Sequence, residues 1–181
     1  MGSFIQKRES GVCEIPTSAS WIPSYSNMLV VSYRNPLFCV FDRVTGRSKG
    51  SVNIEIDAQT PIINQQINKL VVHPSMPLAI TGHENKQIKL FDLNSMRLIR
   101  SSVAHTDAVS CLLAKDFTLV SGGHDGSIRV WDLRKMQLLY EVPCHRKKYD
   151  ESVLCMENHP TKSMLVSGGA DSIIKVYDSL M

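Results

Sequence analysis

The sequence predicts an all-β fold of about four similar units, each with four short strands, arranged as the blades of an incomplete β-propeller that is open at both ends. Four apolar segments each close on an aromatic residue and an aspartate, and they lie at 38–42, 88–92, 128–132 and 174–178. The four aspartates recur at intervals of 50, 40 and 46 residues. Apolar residues alternate with other residues in each segment, as they do in a β-strand, and no amphipathic helical pattern competes with this one.

The interval and the aromatic–aspartate ending are typical of WD40 repeats. Eleven residues before the last three aspartates, the chain carries a hydroxyl residue followed by glycine: Thr81, Ser121 and Ser167. Seven residues before them it carries the Asx residues that a tight turn favours: Asn85, Asp125 and Asp171. The sequence therefore predicts a disordered segment 1–10 followed by a partial WD40 propeller over 11–181, with blades at about 11–54, 55–97, 98–137 and 138–181.

Within a unit, the segment that ends in aspartate is the third strand. The fourth strand follows at 96–103 and 136–142, and the next unit continues with its first strand at 108–113 and 152–156 and its second at 118–121 and 163–167. His73-Pro74 and His159-Pro160 mark the turn between a first and a second strand, because proline ends a strand. Propellers close with about four to eight blades, a closed WD40 ring usually has more than four, and the last unit ends at its third strand. We therefore expect the C-terminal part of a propeller, with unpaired strand edges that promote self-association.

Composition excludes several classes of function. Hydrophobic residues make up 43% of the 181 residues, enough for a folded core. The net charge of +3 is small and spread along the chain, so we expect binding neither to nucleic acid nor to a membrane surface. No apolar run approaches the roughly 18 residues of a membrane span, and the N-terminus has no apolar leader. Five cysteines without a C-x-x-C pair indicate reduced thiols and a cytoplasmic location.

Two sets of polar residues resemble catalytic groups but recur at equivalent repeat positions. WD40 repeats commonly carry a hydrogen-bonded tetrad, and its positions are filled by His105, Ser121, Asp125 and Trp131 and, in a variant form, by His145, Ser167, Asp171 and Tyr177. A Ser-His-Asp triad is the alternative reading, but a triad serine must be exposed beside an oxyanion hole, whereas these serines lie on an interior strand. We therefore expect a structural network and no enzymatic activity.

The other units depart from this pattern. The second unit has Thr81, Asn85 and Phe91 at the matching positions but no histidine upstream of its first strand. We therefore expect that it forms no such network and is the softer blade. In the fourth unit Tyr177 stands where the third has Trp131, so its last hydrogen bond must differ.

No cofactor and no metal ion are expected. The glycine-rich segment 121–127 resembles a phosphate-binding loop, but such loops run from a strand into a helix, and this one runs from strand to strand. The six histidines fall on repeat positions. Cys144, His145 and Cys155 come nearest to a ligand set, and their spacing is not that of a zinc site.

One irregularity of the repeat points to a binding surface. The step from histidine to the valine of the next first strand is four residues from His105 to Val109 but eight from His145 to Val153. The extra residues enlarge a loop that, in a propeller, lies on one rim with the turns between second and third strands. Because arginine and tyrosine are enriched at interfaces, the sequence predicts a partner-binding rim made of Arg146, Lys147, Lys148, Tyr149, Glu151, His124, Glu84 and Asp107. A merely solvated loop is an equally open alternative.

Several segments resemble the C-terminal WD40 propeller of the striatin family. They are residues 66–74, 80–84, 102–105, 121–125, 167–171 and, above all, the motif His145-Arg146-Lys147-Lys148. The resemblance implies a non-catalytic scaffold that assembles protein phosphatase type 2A with germinal-centre-type kinases and a Mob-family protein. The family's caveolin-binding, coiled-coil and calmodulin-binding segments precede its propeller and are absent from this sequence. The alternative is a WD40 adaptor of another class, in an RNA-processing or chromatin complex.

Overall fold

The computed structural model describes residues 14–54 and 62–178, and the expected disordered segment 1–10 lies outside them. The described residues form four antiparallel sheets in which each strand pairs with the next along the chain. Sheet 1 contains β1 (Pro16–Trp21), β2 (Met28–Tyr33), β3 (Leu37–Asp42) and β4 (Ser48–Asn53). Sheet 2 follows a 3-10 turn (Ile62–Gln65) and contains β5 (Ile67–Val72), β6 (Leu78–His83), β7 (Gln87–Asp92) and β8 (Arg97–Val103).

The second half of the chain repeats the arrangement. Sheet 3 contains β9 (Val109–Lys115), β10 (Thr118–Gly123), β11 (Ser127–Asp132) and β12 (Gln137–Pro143). Sheet 4 contains β13 (Val153–Asn158), β14 (Met164–Gly169) and β15 (Ile174–Asp178), so it has three strands within the described residues. The first strands of successive sheets pack on one another in the order β1, β5, β9, β13. The prediction of an all-β, incomplete WD40 propeller is confirmed.

The limits of the sheets differ from the predicted blade limits. β8 begins at Arg97 and β12 at Gln137, and each pairs with the strand before it. Sheets 2 and 3 therefore extend through Val103 and Pro143, beyond the predicted limits at 97 and 137. The physical reason is that the recurring aromatic–aspartate ending marks the third strand in the sequence, whereas the outermost strand that follows carries no such marker.

β5, β9 and β13 each begin with a bulge, and in the first two of them the bulge residue links its sheet to the next one at the rim. The pairing shifts by one residue at Asn68, Ser110 and Leu154, which leaves each of them opposite no partner. Asn68 Nδ2 donates to the backbone oxygen of Val109 (3.2 Å), and Ser110 Oγ donates to that of Val153 (2.5 Å). The third member, Leu154, has no donor and is 46% exposed.

The core lies between the sheets. Ile128 and Val130 on β11 are fully buried in a cluster with Val153, Met156 and Leu165 of sheet 4, and each such side chain contributes about 1.5–3 kcal/mol of burial free energy. The same register positions of sheet 4 have no cover within the described residues. Ile174 is 75% exposed and Val176 62% exposed, against 0% for Ile128 and 1% for Val130.

The described ranges contain no helix with the length and apolar character of a transmembrane segment.

Candidate functional site

The predicted tetrad of sheet 3 is assembled from four elements. Ser121 lies on β10, Trp131 on β11, Asp125 in the turn between them, and His105 in the loop after β8. Trp131 Nε1 donates to Ser121 Oγ (2.9 Å), and the serine hydroxyl lies 2.7 Å from His105 Nε2. His105 Nδ1 lies 3.0 Å from Asp125 Oδ1. Because the carboxylate only accepts, Nδ1 carries the proton and Nε2 accepts from Ser121.

Asp125 is the anchor of this network. It also accepts from the backbone N–H of Thr106 (2.9 Å) and from Ser127 Oγ (2.8 Å), and its side chain is 7% exposed. Burial alone raises the pKa of this carboxyl, but the hydrogen bond and charge of His105 and the other donors outweigh it and hold the pKa far below its usual range. Asp125 is therefore an ionised acceptor at neutral pH.

Sheet 4 contains the variant tetrad. His145 Nδ1 lies 2.9 Å from Asp171 Oδ1, and His145 Nε2 lies 2.8 Å from Ser167 Oγ. The last bond, at 3.3 Å, joins Ser167 Oγ to the phenol oxygen of Tyr177 in place of an indole N–H. Burial raises the pKa of Asp171, but hydrogen bonds from the Arg146 amide and from His145 outweigh it and lower that pKa below its usual range.

Sheet 2 carries a histidine that sequence reasoning missed. His83, at the end of β6, is 1% exposed, and its Nε2 lies 2.8 Å from Thr81 Oγ1. His83 Nδ1 lies 3.3 Å from the backbone oxygen of Gln65, to which it donates. In this unit a hydroxyl–histidine pair takes the place of the tetrad, and the sequence pattern did not predict it because the histidine comes from the second strand itself and not from the preceding loop.

The residue type at one repeat position explains why the histidine of sheet 2 comes from the strand and not from the loop. His83 stands where sheets 3 and 4 have Gly123 and Gly169. A Cβ at Gly123 would lie 2.5 Å from His105 Nδ1, and one at Gly169 would lie still closer to His145 Nδ1. The glycines thus leave space for the imidazole ring of a loop histidine. In sheet 2 the imidazole ring of His83, which belongs to the strand, occupies the equivalent space. The triplet Thr-Gly-His against Ser-Gly-Gly was the available sequence signal.

His83 is held neutral by its surroundings. Burial is the main cause that lowers its pKa to about 4, and the nearby charge of Lys89 lowers it further. The carbonyl of Gln65 acts in the opposite direction but more weakly. A neutral ring matches the observed bonding, with one nitrogen donating and the other accepting.

In the sheet 3 tetrad serine, histidine and aspartate are hydrogen-bonded in the same sequence as in a hydrolase triad. They differ from a triad in that the serine is not accessible to a substrate. Ser121 is 0% exposed and His105 2% exposed. A triad serine must reach a substrate carbonyl beside an oxyanion hole. Here the serine oxygen already accepts from the indole N–H. The arrangement ties a loop, a turn and two strands together.

The cysteine and histidine candidates for a metal are dispersed. Cys144 is buried and its Sγ donates to the backbone oxygen of Gly126 (3.2 Å), whereas Cys155 is exposed. Over residues 14–54 and 62–178, no three His, Cys, Asp or Glu side chains form a group that could hold a metal ion. The segment 121–127 runs from β10 into β11, with Gly126 at φ 86° in the turn.

The enlarged loop of the predicted rim is a short hairpin. The backbones of Lys148 and Glu151 bond to each other in both directions (2.8 and 3.1 Å), with Tyr149 and Asp150 at the tip in left-handed conformations. Tyr149 is 89% exposed. Lys148 Nζ lies 5.4 Å from the centre of the tyrosine ring, a cation–π contact.

A salt bridge joins this hairpin to the preceding loop of the rim. Lys147 Nζ donates to Asp107 Oδ2 at 2.6 Å and lies 3.8 Å from Asp150 Oδ1. These contacts hold the pKa of Lys147 above, and that of Asp107 below, its usual range; partial burial opposes both shifts. The Arg146 backbone N–H is bound to Asp171.

Half of the predicted rim residues meet in one cleft. Glu84, His124, Tyr149 and Glu151 line a cleft of about 520 Å³, together with Asp150 and Leu154. The other four predicted residues, Arg146, Lys147, Lys148 and Asp107, are not part of its lining. Sequence reasoning missed Leu154, whose signal is the apolar residue at the bulge position where the preceding sheets carry polar ones.

Comparison with known proteins identifies relatives. The family model "WD domain, G-beta repeat" matches residues 96–132 and 136–178. The chain is 38% identical over 181 residues to a striatin homolog of Dictyostelium discoideum, 38% identical over 165 residues to striatin-3 of Rattus norvegicus, and 36% identical over 165 residues to striatin of Homo sapiens. These alignments cover 97%, 90% and 90% of the chain but only 22%, 21% and 21% of the relatives. The chain thus spans about a fifth of the length of the proteins it matches.

Proposed function

This chain is a WD40-repeat segment of the striatin type, and from that premise we propose that it is a non-catalytic scaffold that binds other proteins through its rim. The observation that carries the proposal is the cleft that Glu84, His124, Tyr149 and Glu151 line together. Residues from three sheets and an enlarged loop converge there, although they are far apart in the sequence.

The burial and the recurrence of the tetrads support a role without catalysis. The groups with the most chemistry-like arrangement, Ser121 and His105, are buried and bonded to each other. Their recurrence in a second sheet as Ser167 and His145 supports a structural role, because a catalytic centre has no need of a copy in the next repeat.

The exposed hairpin supports a role in recognition. Tyr149 offers a large, rigid surface at a small cost in conformational entropy, and the Lys147–Asp107 bridge braces the loop that presents it. A preorganised loop loses less freedom on binding than a mobile one. These contacts favour a binding loop over a merely solvated one.

The partners follow from the resemblance. We propose that they are components of an assembly of phosphatase type 2A, germinal-centre-type kinases and a Mob-family protein, and that the protein acts in the cytoplasm. The uncovered face of sheet 4, with Ile174 and Val176 exposed, is a second contact surface, through which we propose that the chain associates with another copy of itself.

Affinity purification from a cell extract tests the scaffold role. The chain is expected to recover phosphatase and kinase components, and Tyr149→Ala is expected to lose most of them. Tyr25→Ala is the matched control, since Tyr25 is also exposed but lies in the turn between β1 and β2, at the opposite end of the sheets. Recovery of ribonucleoproteins or histones would support the alternative adaptor class. Recovery of no specific protein would contradict the proposal.

A further inference from the structure

We propose that the rim cleft binds a cationic segment of a partner protein, in which basic side chains flank an apolar one. The inference rests on the proposed scaffold role and specifies the chemistry of its ligand. Two properties of the cleft carry it: its carboxylates and its apolar wall.

The charged side chains that line the cleft are all acidic. Glu84 belongs to the turn between β6 and β7, and Asp150 and Glu151 belong to the hairpin, so the carboxylates come from two separate walls. No lysine or arginine of the described ranges belongs to the lining. The basic residues near the cleft have partners: Lys147 binds Asp107, Lys148 lies over the Tyr149 ring, and Arg34 Nε donates to Oε1 of the lining residue Gln66 at 3.3 Å.

This charge distribution selects the sign of the ligand. Carboxylates on a cleft wall attract lysine and arginine side chains and repel phosphates, so they favour a basic peptide over an acidic peptide or a nucleic acid. Glu84 is oriented for this task, because Asn68 Nδ2 donates to its Oε2 at 2.8 Å. The Asn68 amide thus holds one oxygen of the Glu84 carboxylate in place.

The apolar wall consists of Leu154 and Tyr149. In the two preceding sheets the equivalent bulge residues, Asn68 and Ser110, each donate a hydrogen bond to the next sheet. Leu154 instead leaves apolar surface in the cleft, with 46% of its surface exposed. Lys148 covers one face of the Tyr149 ring, and the other face adds an aromatic surface that accepts an apolar side chain or the stem and charge of an arginine.

A backbone contact is also available. The backbone N–H of Ser152 donates to His124 Nδ1 at 3.2 Å. In the neutral ring the proton therefore resides on Nε2, which is left to donate to a peptide carbonyl. A cleft of about 520 Å³ holds a short segment of a few residues and not a folded domain.

Fluorescence anisotropy with the full chain tests the inference. The probe is a short fluorescein-labelled peptide with lysine and arginine on both sides of a central leucine. We expect saturable binding that weakens about threefold in Glu84→Gln and in Glu151→Gln and weakens further as salt is added. Leu154→Ser introduces the residue type that Ser110 has at the equivalent position of sheet 3, and we expect it to weaken binding about fivefold.

Matched variants separate the cleft from general effects. Glu157→Gln makes the same charge change at the far end of β13, and Leu139→Ser removes an exposed leucine from β12; both are expected to bind like the unaltered chain. Circular dichroism and the urea midpoint confirm that each variant is folded. The inference is overturned if the peptide does not bind, if its glutamate counterpart or a single-stranded RNA binds as tightly, or if Glu157→Gln weakens binding as much as Glu84→Gln.

The two proposals fail in different ways. If the chain captures proteins from an extract but does not bind the basic peptide, the cleft proposal is wrong and the scaffold role stands. If it binds the peptide with the expected variant pattern but captures no protein, the cleft proposal stands and the scaffold role is wrong.

Discussion

Replacing His83 by glutamine should remove part of the acid sensitivity of this chain. The folded protein holds the pKa of His83 near 4, whereas an unfolded histidine titrates at about 6.5. Between these values the unfolded state binds more protons than the folded state, so stability falls as the pH falls. The contribution is fully present above about pH 6.5 and is lost as the pH approaches the folded pKa.

The magnitude follows from the same two pKa values. A shift of this size corresponds to about 3 kcal/mol in total, of which about 2 kcal/mol is lost by about pH 5. Urea unfolding of both proteins at about pH 7.5 and about pH 5 measures it. The difference between the two pH values should be about 2 kcal/mol larger for the unaltered chain than for His83→Gln.

Subtracting the two proteins cancels the other titrating groups. Both contain the same carboxylates and remaining histidines, so only the residue at position 83 differs. Equal losses of stability on acidification would refute the assignment of His83 as a buried neutral ring that replaces the loop histidine of the other sheets.

Three further outcomes follow from the contacts. Gly123→Ala should destabilise the chain by about 1–3 kcal/mol, because the new Cβ would press on the His105 ring; an unchanged urea midpoint would contradict this. Trp131→Phe should lower the free energy of unfolding by about 1 kcal/mol or more through the lost indole N–H bond, and equal stability would show that the bond contributes nothing. Replacing Ile174 and Val176 by serine should shift sedimentation towards the monomer, since both are exposed; an unaltered distribution would place self-association elsewhere.

The repeat made the tetrads accessible from the sequence. The tetrad that WD40 repeats commonly carry, together with the repeat spacing, assigned Ser121, His105 and Asp125 to one network. His83 escaped because it fills the same space from a different position of the chain, and a search for a histidine upstream of the first strand does not find it. The signal lay in the residue type at one repeat position, where His83 replaces the glycine of the other two sheets.

The rim was predictable only in part. Loop length identified the His145–Glu151 region, and the bonds of its hairpin depend on backbone conformations that the sequence pattern does not specify, such as the left-handed Tyr149 and Asp150. To predict the lining of the cleft, one must know which residue of each first strand forms the bulge. Leu154 becomes a wall residue only because the register shifts there.

The most direct test of the central claim is the free energy of unfolding of Ser121→Ala, measured with urea alongside capture of partners by the folded variant. Loss of the hydroxyl leaves the indole N–H of Trp131 and the Nε2 of His105 without a bond, so stability should fall by about 3 kcal/mol while the folded molecules bind partners as before. Ser163→Ala, at an exposed serine, should change neither quantity. Full stability in Ser121→Ala, combined with the loss of a hydrolytic activity of the unaltered chain, would show that these residues form a catalytic centre.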